Sequence, residues 1–325
     1  MVIIMDKKTN YNIVFLRFLA IVIVVFGHSI IIYDSSWGLY TSNYSSAFLA
    51  FIKQIINIVQ MPIWFSISGF LFYSKKKKNF FLFLSKKIKK LLIPFFIFGL
   101  FYLIPIRYII HYNNYICHSI LYNVFYNFLL GFDNGHLWYL PTLFIIMILS
   151  IFLYMKNNKI FDIGLFVLFF IFNLLSYHFK TYFFHVFYYF IFFYMGYCFH
   201  KYNIHPKKKI WILIPYLILV IIFKINHLPN ILNNIFILIL QIILVVVIFN
   251  IDFKNLGSLS IIKNIANQSF GIYLFHSPLI YITFSKYSNL APFFIIFINF
   301  VLFGGLSFFL TKLIRSSKFK WIVGE

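Results

Sequence analysis

Acidic residues are scarce in this 325-residue chain, which has six Asp and Glu against 28 Lys and Arg. They are Asp6, Asp34, Asp133, Asp162, Asp252 and Glu325, and none falls deep in an apolar run. A carboxylate-based proton relay or cation pump therefore lacks its usual parts. A paired-carboxylate glycosidase, which needs two converging acids, is disfavoured on the same ground. Cysteine is rarer still. Cys117 and Cys198 cannot build a disulfide framework and match no zinc-ligand spacing, so no bridge, thiol chemistry or metal is expected. Charged residues make up only 10% of the chain, too few to coat a soluble surface of this size.

What fills the chain instead is hydrocarbon: 62% of residues are hydrophobic and the mean hydropathy is +0.91. Apolar runs long enough to cross a bilayer core recur throughout, which marks an all-α integral membrane protein. Ten spans are predicted, at about 12–33, 48–73, 91–110, 137–155, 160–177, 182–200, 210–226, 235–250, 266–284 and 291–313. The net charge of +22 sits in short runs between them and reads as a topology signal rather than a nucleic-acid footprint. The most basic run, KKKKNFFLFLSKKIKK (Lys75 to Lys90), follows the second span. With that loop cytoplasmic, both termini are cytoplasmic too. Only Lys53, Arg107, Lys180, Lys224 and Lys286 of the 28 Lys and Arg then fall on the outer side, the bias expected of ten spans. The first run has a short basic lead, but no small-residue cleavage motif follows His28, so it reads as a retained helix. A single transmembrane domain over 1–325 is expected, without a soluble appendage. Its longest polar outer segment, 111–136, is amphipathic enough to lie along the interface or re-enter the bilayer.

Ionisable residues inside such spans need a reason to be there. In RFLAIVIVVFGHS, Arg17 and His28 are eleven residues apart, about 1100° of helical rotation, so they share one face about 16 Å apart along the axis. Arg17 then lies near the inner surface and His28 past mid-membrane, where burial favours the neutral imidazole. Taken singly, Arg17 snorkelling to lipid phosphate and His28 bonding across helices would explain them as well. In NQSFGIYLFHSPLI, Tyr273 and His276 share a face, and Pro278 is tolerable where a neighbour satisfies the carbonyl it frees. In GHLWYLP, His136 precedes Trp138 and Tyr139, which fit an interfacial aromatic belt equally well. Ser66, Ser68 and Gly69 in MPIWFSISGFLFY form a small polar patch of the kind that marks close helix packing.

Taken in order, Arg17-x10-His28-Ser29, FSISGF (Phe65 to Phe70), KKIKKLLIP (Lys86 to Pro94), HLWYL (His136 to Leu140) and GIYLFHSPL (Gly271 to Leu279) resemble acyltransferase family 3. The resemblance covers essentially the whole chain. It implies an integral-membrane enzyme of the cytoplasmic (inner) membrane that moves an acyl group, acetyl by expectation, from cytoplasmic acyl-CoA to a sugar hydroxyl. The acceptor would be a cell-surface or exported polysaccharide or glycolipid. Arg17 and His28 match the family's catalytic face, with the histidine essential, and Tyr273 and His276 match its late helix motif; Tyr273, Ser68 or His276 would donate to the developing oxyanion. Lys87 and Lys90 stand where relatives commonly carry Arg-x-x-Arg, keeping the charge but losing the bidentate fork for phosphate. With Arg17 they would bind the CoA phosphates, while His136, Trp138 and Ser68 would hold the acceptor; no tightly bound cofactor is expected. The competing reading of the same polar face is a conduit that exports a lipid-linked saccharide without consuming a thioester.

Overall fold

The computed structural model describes residues 7–37, 39–40, 42–73, 80–151, 158–176, 182–204, 206–225 and 230–325. Asp6, Lys75 to Lys78, Lys156 and Lys180, used above in the charge pattern, lie outside the described residues. Among the described residues there is no strand, only an isolated bridge between Lys208 and Ile251. The longer helical runs are α1 (Lys7–Ser29), α2 (Ala47–Tyr73), α3 (Phe80–Ile109), α4 (Ile120–Leu129), α5 (Gly135–Leu149) and α6 (Lys159–Ser176). They continue with α7 (Tyr182–Lys201), α8 (Leu213–Ile225), α9 (Asn230–Asn250), α10 (Ser260–Tyr287) and α11 (Pro292–Arg315).

Among the described residues, each of the ten predicted segments falls on a helix; 152–155, 177 and 226 lie outside them. Six helical stretches among the described residues are long and apolar enough to cross a membrane: Tyr11–Ser29, Ala47–Tyr73, Phe80–Ile109, Lys159–Ser176, Leu232–Asn250 and Pro292–Arg315. The remaining four differ for plain reasons: α5 and α8 are short, α7 is dense in Tyr, and α10 is interrupted by Asn264, Asn267, Gln268 and His276.

Polarity runs inside out. Phe81, Phe101, Ile160 and Phe293 are each more than 70% exposed, whereas Asn123, Thr142, Asn173, His276 and Asn299 are fully buried. Water would reverse that pattern, but lipid permits it, because apolar side chains face hydrocarbon at no cost and backbone polar groups are satisfied within the helix. The segment 111–136 follows the same rule. On α4, Ile120, Leu121 and Phe125 point outward while Asn123 and Asn127 are buried, with Asn127 donating to Asn123 at 2.7 Å.

The chain divides into two compact units interleaved in sequence: Met1–Ala20, Asn57–Lys78 and Ile145–Ala266 form one, and Ile21–Ile56, Asn79–Phe144 and Asn267–Glu325 form the other. In the first, α2 and α7 pack backbone to backbone at the small residues. A methyl group on Gly69 would lie 1.8 Å from the Phe193 carbonyl oxygen, and one on Gly196 would lie 1.8 Å from that of Ser66. The patch Ser66–Gly69 is therefore a helix crossing, as small residues in membranes most often are. Asp162, in the first turn of α6, is held there by Tyr194 (2.7 Å), Lys201 (2.5 Å) and Tyr202.

In the second unit, α3 carries π-helical turns at Ile88–Leu92 and Gly99–Leu103, each just before a proline, Pro94 and Pro105. Proline removes an amide donor from the ladder, and a widened turn accommodates the gap. Cys117 and Cys198 are both free thiols.

Candidate active site

Three histidines far apart in sequence come together in the second unit. The rings of His28 (α1) and His276 (α10) lie 5.1 Å apart, centroid to centroid, and those of His276 and His136 (α5) lie 5.4 Å apart. His276 is fully buried and His136 is 5% exposed, whereas His28 keeps part of its surface open. Tyr273 sits 5.3 Å from His136 and 6.1 Å from His276, and Tyr139 packs on Tyr273. Among the described residues, no three His, Cys, Asp or Glu side chains are disposed to hold a metal ion.

A proline makes this assembly. Pro278 lacks the amide that would donate to the Leu274 carbonyl one turn earlier. The Leu274 carbonyl is instead 3.2 Å from His136 Nε2, and the neighbouring Phe275 carbonyl accepts from the Tyr102 hydroxyl at 2.9 Å. The orphaned carbonyl predicted from the sequence thus fetches a histidine from another helix. Tyr273 locks the same contact from the other side, its hydroxyl donating to the His136 carbonyl. We expect Pro278→Ala to lower activity without lowering protein level, because the restored amide competes with His136 for the Leu274 carbonyl; initial rates on matched membrane amounts check it.

Two tautomers follow from these contacts. A carbonyl only accepts, so His136 carries its proton on Nε2. His276 Nδ1 is 2.8 Å from the Tyr273 carbonyl and 3.1 Å from that of Ile272, so its proton is on Nδ1. The lone pairs at His136 Nδ1 and His276 Nε2 are buried and have no hydrogen-bond partner.

Behind His136 stands an ion pair with a buried guanidinium. Arg107 in α3 is 2% exposed; its Nη2 meets Asp133 Oδ1 at 2.9 Å and its Nη1 donates to the Asp133 carbonyl at 2.7 Å. The Tyr115 hydroxyl donates to that carbonyl as well, at 2.8 Å. Tyr112 and Tyr115 flank the guanidinium at 4.7 and 4.6 Å from their centroids. Burial pushes both phenols up against the opposing pull of Arg107, so both rings stay neutral. Gly135 leaves this loop at φ +56°, where a side chain would press on Arg107 Nη2.

The charge count read Arg107 and Lys53 only as outer-side cations. Both lie inside helices and are 2% exposed, and Lys53 is within electrostatic reach of His28 and Asp34. An isolated lysine in an apolar run was the available signal for Lys53, and its partner lay on another segment.

The other predicted residues are distributed as follows. Arg17 shares α1 with His28 and belongs to the first unit, as does half-buried Ser68. Trp138 is half-buried beside Tyr139. Lys87 lies over the Phe83 ring at 5.3 Å, and Lys90 is exposed with its backbone against Gly324. Lys90 and Arg107 are 17 residues apart on α3, about 25 Å along the axis, so these lysines are at the opposite end of α3 from the His136 loop.

Fold and site together define a multi-pass α-helical membrane protein with a histidine-centred polar interior. A family model described as an acyltransferase domain, that of acyltransferase family 3, matches residues 10–314. The chain belongs to that family and is a membrane acyltransferase. No curated protein and no solved structure gives a significant match.

Proposed function

We propose that this protein is an O-acyltransferase of the cytoplasmic membrane. In this reading it moves an acetyl group from cytoplasmic acetyl-CoA to a sugar hydroxyl of a surface or exported glycan or glycolipid. The observation that carries the reading is the meeting of His28, His276 and His136, drawn from three separate motifs, with His28 the least buried of the three. Ten spans with both termini cytoplasmic put the Lys87 and Lys90 end of α3 on the side of the donor.

Lys87, Lys90 and Arg17 attract and anchor the CoA phosphates. The pantetheine arm brings the thioester to His28. There the hydroxyl oxygen attacks the carbonyl carbon, the carbon–sulfur bond breaks, and the hydroxyl proton ends on the departing thiolate. His28 serves this exchange by taking the proton or by carrying the acyl group on a ring nitrogen. Labelled acetyl-CoA without acceptor separates the two, since only the second leaves label on the protein. The Tyr273 hydroxyl and the His276 Nδ1 proton already serve backbone carbonyls, so their part is to hold the site. Ser68 and Trp138 are assigned to the acceptor.

The deciding experiment gives purified protein acetyl-CoA and a glycan acceptor and measures free CoA together with acetylated product. A conduit would move saccharide and release none. In the same assay Lys87→Ala with Lys90→Ala is expected to raise the KM for acetyl-CoA about tenfold, with kcat little changed, since two charge-assisted phosphate contacts are lost. An unchanged KM would take the donor away from these lysines.

A further inference from the structure

The two sealed histidines say something about the acceptor. His136 Nδ1 and His276 Nε2 are lone pairs without partners in a buried site, and an unpartnered buried acceptor is costly. Their tautomers are set by the Leu274, Ile272 and Tyr273 carbonyls, so each neutral ring presents a lone pair, not a donor, at its other nitrogen. A group that satisfies both lone pairs brings two donors. The ring centroids are 5.4 Å apart, which puts the two nitrogens between about 3 and about 8 Å from each other. Two hydroxyls on adjacent carbons, each donating over about 2.8 Å, bridge such a gap. His28, 5.1 Å from His276 and the least buried of the three, then stands beside the bound pair; with both hydroxyl protons on the clamp, its part in the exchange is to carry the acyl group.

We infer that His136 and His276 form a two-acceptor clamp for a vicinal diol, so that the acceptor sugar carries a free hydroxyl next to the one acylated. This rests on the acyltransferase reading and narrows its substrate class. The clamp joins to the site by the same bond that repairs the Pro278 gap, which explains why one histidine is borrowed from α5. The pantetheine arm, with two amide N–H groups, is the other source of paired donors, and the assay separates it.

The test uses the unaltered protein in lipid nanodiscs with acetyl-CoA and methyl glycosides of common hexoses. For each glycoside that is acetylated, the two analogues lacking one hydroxyl beside the acylated position are compared. The expected result is that losing the clamped neighbour lowers kcat/KM at least about 100-fold, as sites built to bind a hydroxyl reject its absence. Equal rates for both analogues would overturn the clamp and leave acyl transfer standing; no acetylated product with any glycoside would overturn the acyltransferase reading itself. In a second arm, His136→Leu is expected to raise the acceptor KM, and His136→Asn, which keeps an oxygen acceptor near Nδ1, to restore part of it. A raised KM for acetyl-CoA instead would give the lone pairs to pantetheine.

Discussion

Replacing His28 with alanine is expected to reduce acyl transfer by about 10²–10⁴-fold at unchanged membrane level, the range that a general base or covalent carrier supplies. The protein should survive the change, because His28 is only partly buried and, unlike His136, is not the group that satisfies the Leu274 carbonyl. His136 is different, since it satisfies the Leu274 carbonyl, and its loss costs both fold and chemistry. Acyl content of surface glycan in cells carrying each variant, set against protein abundance, checks the contrast. Wild-type acylation in the His28 variant would remove the mechanism.

Arg107→Ala carries the second large effect. It strips the part-exposed Asp133 of its cation and removes one of two donors from the Asp133 carbonyl. Deleting one partner of a fully buried pair costs about 3–5 kcal/mol, and with the Asp133 side chain 18% exposed to solvent the loss should fall toward or below the lower end of that range. The damage should reach activity, because Asp133 and Gly135 lead directly into His136. Arg107→Lys keeps the charge but not the two-pronged contact and should fall between. Asp133→Asn should cost less than Arg107→Ala, since the guanidinium still holds the carbonyl. Thermal unfolding in detergent, read with kcat, orders the three. An Arg107→Ala protein as stable and as active as the parent would show that the clasp contributes neither stability nor position.

Much of this was legible in one dimension. Membrane spans are written in composition, because hydrocarbon demands about 20 apolar residues wherever a helix crosses, and each predicted segment is helical among the described residues. Gly69 and Ser66 announced close packing for a similarly local reason, as only small side chains let two backbones touch. Pro278 even announced an orphan carbonyl. What it could not announce was the donor, because His136 is 138 residues from Leu274 and no periodicity links the two.

The sequence by itself determined that the chain is an all-α membrane protein of acyltransferase family 3, and that Arg17 and His28 share one helix face. These follow from rules acting within a single segment: hydropathy, helical rotation and motif order. The tertiary structure alone decided that His28, His136 and His276 meet, that Lys53 and Arg107 are buried rather than surface charges, and which histidine nitrogens carry protons. Those depend on which helices touch, and helix contact is set by packing across segments that share no sequence signal.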